Sequence, residues 1–394
     1  MEVIPTTPEV GEHGAASGGT ESGGGAESQF DIVVIGGGPG GYATALYGAA
    51  AGLSVAVVEK DKVGGTCLHR GCVPAKEFLE TAAVNRTVGR AAEFGIGSGG
   101  DGATTTVDFA VSQRRKQQIV DQLFKGLSGL LKGRGVTVFT GTGTLLPGRR
   151  VRVVGDDGSE VELGGTHVVL AAGSLPRTIP GFDVDGRLIM TSDEFLDLKQ
   201  LPASTVVIGG GVVGCEFASL LADLGTKVTI LEALDTILPG CDEDITRLLV
   251  RSFKKRGIDI VTGVKVEGHT PSEDGTTTTV KAGDQTFEAE AVVVSVGRRP
   301  RTEGLVADGL GVEMDRRGFV ATDEYQRTGV DGVWAVGDIV AGAPQLAHVG
   351  FAEAIVAVKS MLGEPVVPVD YGKVPWAIYC RPEVAFCGMT VAQA

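Results

Sequence analysis

The strongest constraint on the fold is a duplication. Phe30-Asp31-Ile32-Val33-Val34-Ile35 is a short apolar run that enters Gly36-Gly37-Gly38-Pro39-Gly40-Gly41 and then the helix-forming stretch Tyr42 to Ala50. A second apolar run, Ser54 to Val58, ends on an acid, Glu59. The arrangement returns as Val206-Val207-Ile208, the glycine turn Gly209 to Gly214, a helical stretch Cys215 to Leu221, and Lys227 to Leu231 closed by Glu232. Fingerprint and acid are both displaced by 173 residues, so the copies keep one register. Gly36, Gly38 and Gly41, and again Gly209, Gly211 and Gly214, fill the G-x-G-x-x-G positions. Such glycines permit a tight turn, close approach of a pyrophosphate, and close packing of helix on strand. The terminal acid is placed to accept a ribose hydroxyl. Two doubly wound dinucleotide-binding units in one chain imply two nucleotide ligands.

Between the copies lies Gly64-Gly65-Thr66-Cys67-Leu68-His69-Arg70-Gly71-Cys72-Val73-Pro74-Ala75-Lys76. Pro74 opens an apolar-periodic run, Phe78-Leu79-Ala82-Ala83, that predicts a helix. Cys72 thus sits at a helix start, where a thiolate is stabilised. On a regular helix a five-residue step is about 500°, so the two cysteine side chains would diverge. Bridging them needs a distorted turn, and Gly71 supplies that freedom. Six cysteines and no secretory signal do not suggest a disulfide framework, which leaves redox or metal chemistry for this pair. Metal fits less well, because no second Cys/His pair stands at a ligand-like spacing. One nucleotide ligand must reach the cysteines and the other must exchange electrons with it, which points to a flavin and a nicotinamide. Glu232 would repel a 2′-phosphate, and Ala233-Leu234-Asp235 brings no arginine to pair with one, so NAD is expected rather than NADP.

The 394 residues suffice for two or three domains with full cores. A net charge of −14 argues against a nucleic-acid partner. No apolar run approaches a membrane span, and no basic-then-apolar leader opens the chain, so a cytoplasmic location is expected. Residues 1–29 are rich in Gly, Ser, Glu and Thr and predict a disordered tail. Gly95 to Ala103 reads as a surface turn and Arg114 to Lys132 as an exposed helix. Strands are expected at 136–139, 151–154 and 167–170. His167 is assigned no role, and His348 is expected to pack or cap.

From about Phe30 onward the sequence resembles the FAD-dependent pyridine nucleotide–disulfide oxidoreductases, most nearly the dihydrolipoamide dehydrogenases among them. The cysteine segment is the most specific part. The resemblance implies an α/β fold of two Rossmann-like domains, the NAD domain inserted in the FAD domain. Residues 30–180 and 298–368 would form the FAD domain, 181–297 the NAD domain, and 369–394 the start of an interface module. Cys67 and Cys72 would form the redox-active disulfide beside the flavin. Gly65, Thr66 and Lys76 would lie against the flavin. Ala171-Ala172-Gly173-Ser174 would lead out of the FAD domain, and the run Ala291 to Pro300, with Gly297, would lead back. Asp338 would hydrogen-bond the ribitol. The helix from Leu346 would aim its N-terminus, with Ala347, at the flavin's pyrimidine edge, favouring an anionic reduced flavin. Lys76 and Glu216 would pair near the flavin's reactive nitrogen.

The activity implied is oxidation of dihydrolipoamide through the Cys67–Cys72 disulfide and FAD, with hydride transfer to NAD. Its partners would be the lipoyl domain of a 2-oxo acid dehydrogenase complex and, for the full-length protein, a second copy in a homodimer. Two alternatives stay open: a sibling disulfide or mercuric reductase, and a non-catalytic FAD-binding component of such a complex. The family ends in a dimerisation module of roughly a hundred residues that supplies a His-Glu pair. Val374 to Thr390 resembles its opening, and His13, His69, His167, His269 and His348 all lie elsewhere, so a truncated interface domain is expected.

Overall fold

The computed structural model describes residues 28–97 and 106–394. The expected tail, apart from Ser28 and Gln29, and most of the 95–103 turn lie outside the described residues. Six strands open the fold: β1 (Ser28–Ile35), β2 (Val55–Glu59), β3 (Thr137–Thr140), β4 (Thr142–Leu146), β5 (Arg150–Val154) and β6 (Glu160–Leu170). They lie in the order β3-β2-β1-β6-β5-β4. β3, β2, β1 and β6 are parallel, whereas β4, β5 and β6 form an antiparallel meander. Ile32 to Ile35 are all buried, as an uninterrupted apolar run in a doubly covered parallel sheet must be. Helix α1 (Pro39–Ala50) starts with proline at its first position, where the missing N–H costs nothing.

The cysteine segment folds as two helices, α2 (Gly65–Arg70) and α3 (Cys72–Gly89), broken at Gly71. Helix α3 begins at Cys72, two residues before Pro74, so Cys72 stands at the helix start as expected. The Ala75 N–H donates to Gly71 O at 2.9 Å, so the first turn already encloses the proline. Helix α4 (Phe109–Gly133) covers the expected exposed helix and is capped by Asp108, which accepts from the Val111 N–H.

The second unit begins after β7 (Ser174–Pro176). It comprises β8 (Ile189–Met190), α5 (Ser192–Phe195), β9 (Ser204–Ile208), α6 (Val212–Asp223), β10 (Lys227–Leu231), α7 (Glu243–Lys255) and β11 (Asp259–Val261). An antiparallel ribbon, β12 (Val266–Pro271), β13 (Thr278–Ala282) and β14 (Gln285–Ala289), precedes β15 (Ala291–Val294). The order β11-β10-β9-β15-β8 is parallel throughout. The chain returns through β16 (Arg298–Pro300), which pairs antiparallel with β7, and reaches β17 (Val333–Ala335), which pairs with β6 in the first sheet. The second doubly wound unit is therefore inserted in the first. Helix α8 (Ala347–Met361) packs on α1, and β18 (Trp376–Ile378) and β19 (Val384–Phe386) form a final hairpin.

Helix α3 joins the two units. Its Ala75, Phe78 and Ala82 share one core with Phe195 and Phe217 of the inserted unit and Ile378 of the hairpin. Phe78, Phe195 and Phe217 are each 2% exposed or less, and each such ring contributes about 1.5–3 kcal/mol of burial. Among the described residues, no helix is long and apolar enough to cross a membrane.

Candidate active site

The two glycine turns show by packing why each glycine is needed. A Cβ on Gly36 would stand 2.3 Å from Ala171 O, and one on Gly41 would stand 1.8 Å from Gly36 O. Backbone fills those positions. A Cβ on Gly38 would meet only Gly65 Cα, at 4.0 Å, and one on Gly211 would meet nothing within 4 Å. The middle glycine of each turn faces open space, where a pyrophosphate would lie across the N-terminus of α1 or α6. Gly209 and Gly214 repeat the tight contacts, against Ser295 O at 2.5 Å and Gly209 O at 2.0 Å.

The acids at the strand ends are held alike. Glu59 accepts from the Gly37 N–H at 2.7 Å and the Asp61 N–H at 2.9 Å. Glu232 accepts from the Gly210 N–H at 2.6 Å and the Leu234 N–H at 2.8 Å. Each carboxylate is thus tied to its glycine turn. Near Glu59 a cleft of about 130 Å³ is lined by Gly36, Gly141 and Arg301. Arg301 has a buried Nε with no partner, and burial holds its guanidinium below the ordinary value. A half-buried guanidinium with an unpartnered Nε beside a glycine turn suits an anionic group, so the residues present fit FAD here. In the inserted unit the buried Ser295 Oγ is likewise unpartnered, next to the turn expected to hold NAD. A larger cleft, about 700 Å³, lies at the opposite ends of β9, β10 and β11, away from both turns.

The cysteines stand against the first glycine turn. The Gly64 N–H donates to Gly37 O at 2.7 Å, and a Cβ on Gly65 would come within 2.6 Å of Gly38 Cα. Gly64 and Gly65 both take positive φ, 109° and 58°. Cys67 lies in α2 with Thr66 beside it, and Cys72 opens α3. A Cβ on Gly71 would stand 3.0 Å from Thr66 O, so the connection between the cysteines is closely packed. Both cysteines are thiols in this structure and share a hydrogen bond. That bond, with burial, drives the Cys67 thiol up. Cys72 is pulled down to about 7 by the bond from Cys67 and by Lys76, against partial desolvation, although the residue is exposed to solvent. Cys72 is therefore the thiolate of the pair near neutral pH and Cys67 its proton donor.

Lys76, one helical turn beyond Cys72, donates to Glu216 of α6 at 2.9 and 2.8 Å. Glu216 also accepts from the Tyr379 N–H at 2.9 Å, and the Lys76 ammonium lies 4.8 Å from the Tyr379 ring centre. Asp338, after β17, accepts from the Ser174 hydroxyl at 2.5 Å, and Ser174 accepts from Arg298 Nε at 2.7 Å. The Ser174–Asp338 contact thus ties the outgoing strand β7 to the residue expected at the flavin. Gly173 and Gly297 flank this crossing with φ of 72° and 99°. The first N–H groups of α8, on Ala347 and His348, have no intrahelical acceptor and face outward from its N-terminus. His348 Nε2 donates to Pro375 O at 3.0 Å, and His167 Nδ1 accepts from Trp334 Nε1 at 3.3 Å.

Several further residues here belong to none of the motifs. Tyr42 of α1 feels both cysteines, and burial lifts its phenol to about 12. Glu353 of α8 is fully buried. It accepts from the Gly337 N–H at 2.5 Å and from the Tyr371 hydroxyl at 2.6 Å. Tyr371 in turn accepts from Gln326 Nε2 at 3.2 Å. Burial pushes the Glu353 carboxyl up to about 7 against the pull of those two bonds, with Asp338 adding to the rise.

Residues 30–354 match the family described as pyridine nucleotide-disulphide oxidoreductase. A dihydrolipoyl dehydrogenase of Bacillus subtilis is 40% identical over 380 residues, covering 93% of this chain and 79% of its own. One from Haloferax volcanii is 38% identical, covering 92% and 76%. Among solved structures, LpdA from Mycobacterium tuberculosis superposes with a TM-score of 0.83 at 29% identity, over 91% of this chain and 77% of its own. The HOCl-induced flavoprotein disulfide reductase RclA from Escherichia coli gives 0.81 at 28%, over 92% and 78%.

Proposed function

The chain belongs to the pyridine nucleotide–disulphide oxidoreductase family, and on that premise we propose that it is a dihydrolipoyl dehydrogenase using FAD and NAD. The observation that carries this reading is the cysteine pair stitched to the first glycine turn, with only one of its sulfurs acidic. In the oxidised enzyme the pair is a Cys67–Cys72 disulfide. A substrate thiolate attacks Cys67, the S–S bond breaks, and Cys72 leaves as the thiolate its surroundings favour. The second substrate thiol then displaces Cys67, releasing lipoamide and leaving the two enzyme cysteines reduced. Bound FAD would supply the two-electron relay between this dithiol and NAD.

The chain's own residues set up these steps. Lys76, held by Glu216, stabilises the Cys72 thiolate. Gly36, Gly38 and Gly41, with Glu59, Gly65, Thr66, Gly173 and Asp338, hold FAD, and the N-terminus of α8 at Ala347 favours negative charge on it. Gly209, Gly211, Gly214, Glu232 and Gly297 hold NAD. We divide the chain accordingly: 30–180 and 298–368 for FAD, 181–297 for NAD, and 369–394 for the start of an interface module. The dithiol is that of a lipoyl domain in a 2-oxo acid dehydrogenase complex, the enzyme is cytoplasmic, and the full-length protein is a homodimer. The exposed Met389 and Val391 offer apolar surface for that pairing.

The test is spectroscopic. Adding dihydrolipoamide to the FAD-loaded protein is expected to raise a long-wavelength charge-transfer band, absent in Cys72→Ser. An unchanged spectrum would refute the assignment and favour a non-catalytic flavoprotein.

A further inference from the structure

Helix α6 presents Glu216, Ser219 and Asp223 along one face, at the spacing of successive turns. All three are engaged from outside the helix. Asp223 pairs with Arg86 of α3 at 2.5 Å and with Arg256 at 2.8 Å. Ser219 Oγ accepts from the Arg381 N–H at 2.9 Å, and Arg256 Nη1 donates to Arg381 O at 2.9 Å. Glu216 accepts from Lys76 and from the Tyr379 N–H. A strap through residues 378–381 therefore crosses α6 and is pinned at two successive turns. Ile378 and Cys380, on either side of Tyr379, are each 1% exposed. The pinning fixes the Tyr379 backbone, and with it the ring that lies 4.8 Å from Lys76 Nζ.

We infer that Tyr379 is a positioning residue for the redox pair, its N–H and its ring holding the Lys76–Glu216 ion pair so that the ammonium stays facing Cys72. The inference rests on the assignment of Cys72 as the redox thiolate. Glu216 is nearly enclosed, with a side chain 4% exposed, and cannot follow Lys76. The Lys76 side chain is 39% exposed and has an open direction toward water. The negative face of the Tyr379 ring closes part of that opening and attracts the ammonium. Without the ring, Lys76 gains freedom to swing outward, and its charge acts more weakly on the sulfur one turn away.

The experiment is a pH profile of Cys72 alkylation by iodoacetamide in the reduced, FAD-loaded protein, followed on the Cys72-containing peptide by mass spectrometry. Y379F keeps the ring and is expected to match the unsubstituted protein. Y379L and Y379Q remove it and are expected to raise the Cys72 midpoint, by at most roughly 0.4–0.7 pH units, the full value of a partly exposed cation–π contact. In a Lys76→Met background the same two substitutions are expected to do nothing further. A low midpoint that Y379L and Y379Q leave unmoved would overturn the inference alone. So would a shift that persists in the Lys76→Met background. A midpoint at the ordinary thiol value of 9.0 in the unsubstituted protein would overturn the redox assignment together with the inference.

Discussion

Replacing Glu353 with glutamine removes a titrating proton from beneath the expected flavin anchor while keeping the side chain's shape. The carboxyl is fully buried, and the titratable groups facing it are Tyr371 and Asp338, with no cation among them. Its value rises from 4.5 in a free side chain to about 7 in the fold. Between those values the unfolded chain has ionised and the folded chain has not, so the folded state binds more protons and stability falls as pH rises. The contribution is fully present below pH 4.5 and lost once pH passes 7. The interval corresponds to roughly 3 kcal/mol. Glutamine can replace the neutral acid: its carbonyl accepts from the Gly337 N–H and its amide donates to the Tyr371 oxygen. The Tyr371 proton can then turn to Gln326 Oε1, a buried acceptor without a partner, once that amide flips. Near pH 5 Glu353→Gln should therefore melt close to the unsubstituted protein. Near pH 8 it should be the more stable of the two, by several degrees at roughly 2–4 °C per kcal/mol for a domain of ordinary size. The assay is a set of paired thermal melts across pH 5–8, read as the difference between variant and parent so that other titrating groups cancel. A difference that stays constant across that range would refute the reasoning.

The glycine contacts separate folding from binding. Gly41→Ala forces a Cβ to 1.8 Å from Gly36 O and should cost about 1–3 kcal/mol or more, read as a lower Tm in the FAD-free protein. Gly38→Ala and Gly211→Ala have room for the methyl and should melt normally, yet weaken FAD and NAD respectively by at least about tenfold. For Glu232, substitution by alanine should erode the preference for NAD over NADP in equilibrium binding, because the carboxylate that repels a 2′-phosphate is gone. A parent protein that favours NADPH would contradict that assignment.

What could be read from the residues alone depended on whether the cause was local. The strands β1, β2, β9 and β10 are legible because parallel strands covered on both faces carry mainly apolar residues, and each runs into a glycine turn or an acid. The hairpins were harder: β4 and the ribbon β12–β14 are short, rich in Thr, Gly and charge, and held by pairing across the chain rather than by their own pattern. Glu353 did carry a signal. It is four residues from Val349 and from Ala357 in an apolar helix, so the 3.6-residue period already puts its carboxyl on the buried face. Its partner Tyr371 carried none, since no local rule links a helix acid to a tyrosine eighteen residues on. The Lys76–Glu216 pair shows the same divide more sharply. Each residue sits one turn or less beyond a motif, which fixes where it starts, but they are 140 residues apart and meet only because α3 packs on α6. Motifs locate the chemistry through backbone geometry, which is short-range. The charges that tune it come from whatever the packed helices bring alongside, and Tyr379, in a strap pinned at two turns of α6, is the clearest case of that.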